Sequence, residues 1–222
     1  SNLDLACIIF TLQSPETSLG FLDRFLACCE AYNIPVLILF NKIDLLNFEE
    51  VELVEELQAM YENLGYQTLQ VSSAEKLNLD KLQEILKDKT CVFFGHSGAG
   101  KSTLANALQP DLNLKTNEIS ETHNKGKHTT TFAQMHFWHF GGAVIDTPGV
   151  REFAMIDVEK EEIQHYFPEI FEKGRECKFH NCKHINEPKC AVLEALETGE
   201  ILESRYITYL KLMEEAEEQN QM

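Results

Sequence analysis

The sequence predicts an α/β domain with a mainly parallel sheet and helices on both faces, followed by a small helical zinc-binding domain. Short apolar runs rich in Ile, Val, Leu and Phe alternate with helical patterns over residues 1–160. Most of the polar or glycine-bearing motifs follow such a run directly, where ligands bind in parallel sheets. From Glu161 onward the strand-like runs stop, and a cluster of cysteines and histidines sits in helix-forming sequence. Domains of 1–160 and 161–222 are therefore expected.

The strand-like runs are residues 5–10, 36–40, 68–72, 90–94, 133–140 and 142–145. Leu53, Val54, Leu57, Met60, Tyr61 and Leu64 recur at helical spacing, with Glu49, Glu50, Glu55 and Glu56 expected to face water. Leu79, Leu82, Ile85 and Leu86 repeat the pattern more briefly. Residues 113–127 are polar and aperiodic, as in a mobile loop. The segment from Glu161 to Met222 reads as helical, with an acidic face expected to be solvated surface.

With 222 residues and 44% hydrophobic content, the chain can bury one full core and carry a smaller appendage. No apolar run approaches the roughly 20 residues needed to span a bilayer, and no secretory signal opens the chain, so a cytoplasmic monomer without membrane contact is expected. The chain begins at Ser1 rather than Met, which suggests a missing N-terminal region. Seven cysteines, without a signal, argue against a disulfide framework. Cys7, Cys28, Cys29 and Cys91 lie in apolar segments and read as small buried hydrophobes. A formal charge of -17 is wrong for a domain that wraps nucleic acid unaided.

Residues 90–94 lead into Gly95-His96-Ser97-Gly98-Ala99-Gly100-Lys101-Ser102-Thr103, a strand, a GxxxxGKS loop and the start of a helix. The glycines let backbone N–H groups curl around a β-phosphate, and the helix adds its positive end. Lys101 should bridge β- and γ-phosphates and Ser102 should ligate Mg2+. Asp146-Thr147-Pro148-Gly149 ends a second strand. Its Asp would hold the Mg2+ through a water, and the Gly149 N–H would meet the γ-phosphate. Between them lies Gly126-Lys127-His128-Thr129-Thr130-Thr131, where one threonine should supply a second Mg2+ hydroxyl; Thr130 is favoured.

Base choice is read from Asn41-Lys42-Ile43-Asp44. Asp44 can accept from guanine N1–H and the 2-amino group, Asn41 can bond the purine edge and brace the phosphate loop, and the Lys42 stem can lie along the base. A buried carboxylate left without its donors rejects adenine, so the ligand is expected to be GTP or GDP. That conflicts with a third reading, an ATP-dependent kinase or helicase. Ser72-Ser73-Ala74, at the next strand end, would aim the Ala74 N–H at guanine O6. In ordinary GTPases the phosphate loop comes first. Here NKID and SSA precede it, which makes the first domain a circularly permuted P-loop GTPase domain.

Cys177, Cys182, His184 and Cys190 offer three thiolates and one imidazole. That set suits tetrahedral zinc with no open position, hence a structural ion that supplements a small core. His180 is a rival ligand.

NKID, SSA, GHSGAGKST, GKHTTT, DTPGVREF and the Cys, Cys, His, Cys spacing together resemble the circularly permuted GTPases of small-ribosomal-subunit assembly, the family often called ribosome biogenesis GTPase A. The resemblance covers the whole chain. It implies a protein that acts late in small-subunit maturation, hydrolyses GTP under stimulation by that subunit and binds its rRNA with the help of an N-terminal oligonucleotide-binding barrel. No such barrel is present in this sequence.

Gly149 is followed by Val150, where many GTPases place a water-orienting Gln, so slow intrinsic turnover is expected. His128, beside the switch threonines, is the candidate for orienting water, and the resemblance points the same way. Because the chain passes from DTPG through Arg151, Glu152 and Phe153 to the zinc-binding segment, loss of γ-phosphate could move that segment. The competing reading is a guanine-nucleotide-sensing scaffold whose hydrolysis is incidental.

Overall fold

In the computed structural model, which describes residues 3–114, 134–146 and 159–219, six strands form one sheet. They are β1 (Leu5–Phe10), β2 (Val36–Asn41), β3 (Gln67–Val71), β4 (Thr90–Phe94), β5 (Gln134–Phe137) and β6 (Ala143–Asp146), in the spatial order β3-β2-β1-β4-β6-β5. All neighbours are parallel except β5, which runs antiparallel to β6 at the edge. Every residue of β1 and β2 is buried, so both sheet faces are covered there; continuous apolar runs such as LACIIF arise for this reason. The run expected over 133–140 ends as a strand at Phe137. The chain then reverses, with the Gly141 N–H donating to Trp138 O at 3.2 Å and the Trp138 N–H to Gly142 O at 3.0 Å.

The chain divides into two units, Ser1–Thr17 with Ile34–Glu152 and Ser18–Asn33 with Phe153–Met222. In the first, Leu5, Cys7, Ile9, Leu37, Leu39, Cys91 and Phe93 turn one face of the sheet toward α3 (Leu79–Leu86) and α4 (Lys101–Leu108), which contribute Leu82, Leu86, Leu104 and Leu108. The helix α2 (Phe48–Asn63) buries Val54, Leu57 and Tyr61. Leu53 and Met60, expected on that apolar face, are instead exposed. Glu50 has a task beyond facing water: the Asn47 side chain accepts from the Glu50 N–H at 3.0 Å and the Glu50 carboxylate from the Asn47 N–H at 2.8 Å, a capping box that starts the helix.

The second unit contains α1 (Leu19–Ala31), α5 (Pro168–Gly174), α6 (Ala191–Thr198) and α7 (Glu203–Gln219). The first helix of the chain thus groups with the C-terminal helices, although the sequence reading places it within residues 1–160. Ala27 and Cys28 of α1 share a core with Phe167, Ile170, Val192, Tyr209, Leu212 and Met213. Within it Arg205 is fully buried, its guanidinium donating to Glu169 at 2.7 and 3.1 Å, 3.8 Å from Asp23 of α1 and 4.6 Å over the Phe167 ring. Two carboxylates around one guanidinium tie three helices together, since a buried charge is tolerated only where it is paired. Cys7, Cys28, Cys29 and Cys91 are all buried, as the apolar reading expects.

Candidate nucleotide site and metal centre

The carboxyl ends of parallel strands collect the sequence motifs. β2 ends on Asn41, β4 opens into the phosphate loop at Gly95, and β6 ends on Asp146. The register pairs Val92 with Ile145, so Asp146 stands one step further along, level with Phe93 at the phosphate-loop end of β4.

Two side chains of NKID reach the phosphate loop. The Asn41 amide donates to Ala99 O at 2.9 Å, and the Lys42 ammonium donates to Gly98 O at 2.8 Å and also to Ser14 O. Asn41 is buried, and its Oδ1 meets no hydrogen-bond donor among the described residues. Desolvation by burial pulls the Lys42 pKa below its usual value, with Asp44 opposing that pull. Lys42 adopts a left-handed backbone, φ 64°, and so turns the chain into the short 3-10 turn Ile43–Leu45 that carries Asp44. Asp44 is solvent-exposed, and its carboxylate accepts from the Ser72 hydroxyl. Ser72 in turn accepts from the Glu75 N–H at 3.1 Å and closes a backbone pair with Leu77, which fixes the turn bearing Ser73 and Ala74. The Ser73 hydroxyl is buried with no partner among the described residues, and Ala74 is exposed.

The phosphate loop needs glycine at two close approaches. Gly95 has φ 148°, and a Cβ there would lie 2.8 Å from Ile9 O; Gly100 has φ 101°, and its Cβ would lie 2.5 Å from the Asn41 Nδ2. Lys101 opens α4 and donates to the carbonyls of Gly95 and His96 at 2.7 and 2.8 Å, which sets its ammonium over the loop. Ser102 is half-buried on the first turn of α4; Ser97 and Thr103 are exposed. Such a loop at a helix N-terminus is chemically an anion cradle. A serine hydroxyl is a hard oxygen of the kind Mg2+ takes. His128, Thr130 and Gly149 lie outside the described residues, as do Val150, Arg151, Glu152 and Phe153, and most of the loop expected over 113–127.

The structure thus brings together three of the loops by direct hydrogen bonds, and strand register sets Asp146, the first residue of the fourth motif, at the same end of the sheet. Sequence reasoning missed the segment after β1, residues 11–17, whose Ser14 carbonyl holds Lys42. It has no recognised motif. The available signal is positional: β1 lies between β2 and β4, so its carboxyl end opens at the point where the strand order reverses.

In the second unit the ligand atoms of Cys177, Cys182, His184 and Cys190 all lie within 4.8 Å of one another. Cys177 Sγ is 3.8 Å from Cys190 Sγ, and His184 Nδ1 is 3.6 and 3.4 Å from those two sulfurs. A tetrahedron with metal–sulfur bonds of about 2.3 Å has S···S edges of about 3.8 Å and S···N edges of about 3.6 Å, so the cluster has the dimensions of a zinc site. Burial pushes the Cys182 thiol up to about 12, raises that of Cys190 and lowers the His184 pKa. Neutral imidazole is ready to ligate, whereas thiolates there require the charge of a cation. His180, the rival ligand, is exposed and outside the cluster.

The knuckle is held from outside as well. Glu187 accepts from the N–H groups of Lys183, Ile185 and Asn186 at 2.8, 2.8 and 3.1 Å, while Tyr206 and Tyr209 of α7 donate to the carbonyls of His184 and Lys183 at 2.6 and 3.0 Å. No helix among the described residues is long and apolar enough to cross a membrane.

The family profile described as RsgA GTPase matches residues 1–156. A curated relative from Christiangramia forsetii, named small ribosomal subunit biogenesis GTPase RsgA, is 48% identical over 98% of this chain and 69% of its own length. A relative of the same name from Flavobacterium psychrophilum is 50% identical over 96% of this chain and 66% of its own length. The chain therefore spans about two thirds of these relatives. Among solved structures, YjeQ from Thermotoga maritima superposes with a TM-score of 0.82 at 39% identity, covering 97% of this chain and 72% of that one. YloQ, described as a circularly permuted GTPase, gives 0.79 at 36% identity over 98% and 69%.

Proposed function

Because the chain belongs to the RsgA GTPase family, we propose that it hydrolyses GTP as an assembly factor in late maturation of the small ribosomal subunit, with the subunit and its rRNA as partners. Supporting it are the names of the relatives at 48% and 50% identity. The single observation that carries the nucleotide reading is the bond from Asn41 to Ala99, which joins a base-reading loop to a phosphate loop.

In this reading Asp44 takes the guanine edge, Asn41, Lys42 and the Ser72-Ser73-Ala74 turn frame the base, and residues 95–103 wrap the phosphates. Lys101 neutralises the bridging oxygens, and backbone N–H groups stabilise charge as water attacks the γ-phosphorus in line. Ser102, Asp146 and Thr130 would hold Mg2+, which when bound draws charge from the β- and γ-phosphates. With Val150 where a Gln would serve other GTPases, His128 orients the water. The enzyme reading is preferred to the scaffold because the relatives are named as GTPases.

Cys177, Cys182, His184 and Cys190 bind one structural zinc. We place the working boundary of the nucleotide domain at 1–160 and of the helical zinc-binding domain at 161–222, with α1 contributed to the latter's core. The charge of -17 leaves rRNA binding to a basic N-terminal barrel of the whole protein, which acts as a cytoplasmic monomer. Phosphate release followed with and without purified small subunits tests this. Stimulated turnover is expected, and GTP hydrolysis indifferent to the subunit would overturn the assignment.

A further inference from the structure

We propose that the turn formed by residues 11–17 is a further wall of the guanine-nucleotide site, and that Gln13 is a positioning residue for guanine recognition through its hold on the turn that carries Asp44. The proposal rests on the reading of Asp44 as the base-recognising carboxylate.

β1 is flanked by β2 and β4, so the segment that leaves its carboxyl end emerges between the NKID loop and the phosphate loop. It is a closed structure. Thr11 Oγ1 donates to Pro15 O at 2.5 Å, the Thr17 N–H donates to Thr11 O at 2.9 Å, and the Thr11 N–H donates to Thr17 Oγ1 at 3.3 Å, with both threonines buried. A rigid turn can serve as an anchor for its neighbours.

It anchors both of them. The Gln13 Nε2 donates to Leu45 O at 2.9 Å, at the end of the short turn Ile43–Leu45. That three-residue turn is closed by bonds from the Leu45 N–H to Lys42 O at 3.0 Å and the Leu46 N–H to Ile43 O at 3.1 Å, and Gln13 adds a tie from outside it. Ser14 O receives the Lys42 ammonium, which also donates to Gly98 O of the phosphate loop at 2.8 Å. Pro15 packs 3.5 Å from where a Cβ on Gly98 would lie. Asp44 is therefore held from two directions, its carboxylate by Ser72 and the turn that carries it by the bond from Gln13 to Leu45 O.

Gln13 acts through the Leu45 carbonyl, so its loss should change how well the base is read and not how fast the γ-phosphate is cleaved. Gln13→Glu keeps the length of the side chain but replaces the donor with a carboxylate facing a carbonyl; Gln13→Met removes the donor without adding charge. For both, affinity for GDP and for a non-hydrolysable GTP analogue should fall together by about tenfold, of the size expected for a lost supporting hydrogen bond. KM for GTP should rise with kcat unchanged at saturation. The preference for GDP over inosine diphosphate, which lacks the 2-amino group that Asp44 reads, should shrink. A melting temperature equal to that of the unaltered protein would show that these changes come from positioning.

Unchanged affinity and an unchanged guanosine-to-inosine ratio in both variants would overturn the role of Gln13. Variants that melt early and lose GDP and inosine diphosphate affinity equally would also overturn it, in favour of a merely structural role. If the unaltered protein shows no preference for GDP over inosine diphosphate, the reading of Asp44 itself fails, and the proposal with it.

Discussion

The side-chain amide of Asn41, the last residue of β2, donates to the carbonyl of Ala99 inside the phosphate loop at 2.9 Å. Two loops proposed to read opposite ends of one nucleotide are thereby joined directly. Ala99 is fully buried, so removing the donor leaves a carbonyl without a partner at a cost of about 1–3 kcal/mol. Asn41→Ala should weaken GDP and GTP-analogue binding about tenfold or more, because both ligands share the base and the β-phosphate. Titration with a fluorescent guanine nucleotide measures it; unaltered affinity would refute the bracing role.

Gly100→Ala attacks the same contact from the other side. A Cβ there meets the Asn41 amide at 2.5 Å on a backbone of φ 101°, so both the loop and the brace must shift. Nucleotide binding should be lost outright by calorimetry. Gly65→Ala is the control, with φ 94° and open space around it: it should lower stability by about 1 kcal/mol and leave binding alone.

Elemental analysis of protein prepared without chelator should find one zinc per chain. Cys182→Ser should abolish it, and His180→Ala should not, because the His180 side chain lies outside the cluster. Chelation should lower the melting temperature, since metal supplies folding free energy to a small core. A chain that retains its melting curve after complete zinc removal would contradict a structural role.

Arg205→Met should destabilise the protein by about 3–5 kcal/mol, because Glu169 and Asp23 then remain buried without their cation. Arg175→Ala, which removes an exposed pair with Glu172 at 2.8 Å, should leave the denaturation midpoint nearly where it was. Urea titrations of the two variants make the comparison, and equal midpoints would contradict the buried network.

His128→Ala should reduce subunit-stimulated GTP hydrolysis by about 100-fold, the scale of a lost acid–base or water-orienting group. GTP affinity should stay within a factor of about two, an expected kinetic split between binding and chemistry. Stimulated single-turnover rates check it; an unaltered rate would move the water-orienting role to another residue.

Much of this was legible because short-range pattern and local chemistry agree. Continuous apolar runs gave β1 and β2, helical spacing gave α2 and α3, and the phosphate loop declared itself by glycines that no side chain could replace at Gly95 and Gly100. The ligand set of Cys177, Cys182, His184 and Cys190 was equally plain, because thiol and imidazole chemistry narrows the choice to few metals. Where period alone was used, it overreached. Leu53 and Met60 fit the apolar stripe of α2 but lie exposed, since spacing fixes a face and not its width.

The chain alone pointed to the groups proposed to meet a guanine nucleotide, because donor and acceptor chemistry is carried by residue type. Tertiary structure decided what holds those groups in place. That α1 shares a core with α5 to α7, that Arg205 gathers Glu169 and Asp23, and that Gln13 supports the turn of Asp44 all depend on contacts between residues far apart in sequence. Such pairings leave no local period; for Gln13 it is the strand order, which sets β1 between β2 and β4, that brings the turn of Asp44 within hydrogen-bond reach.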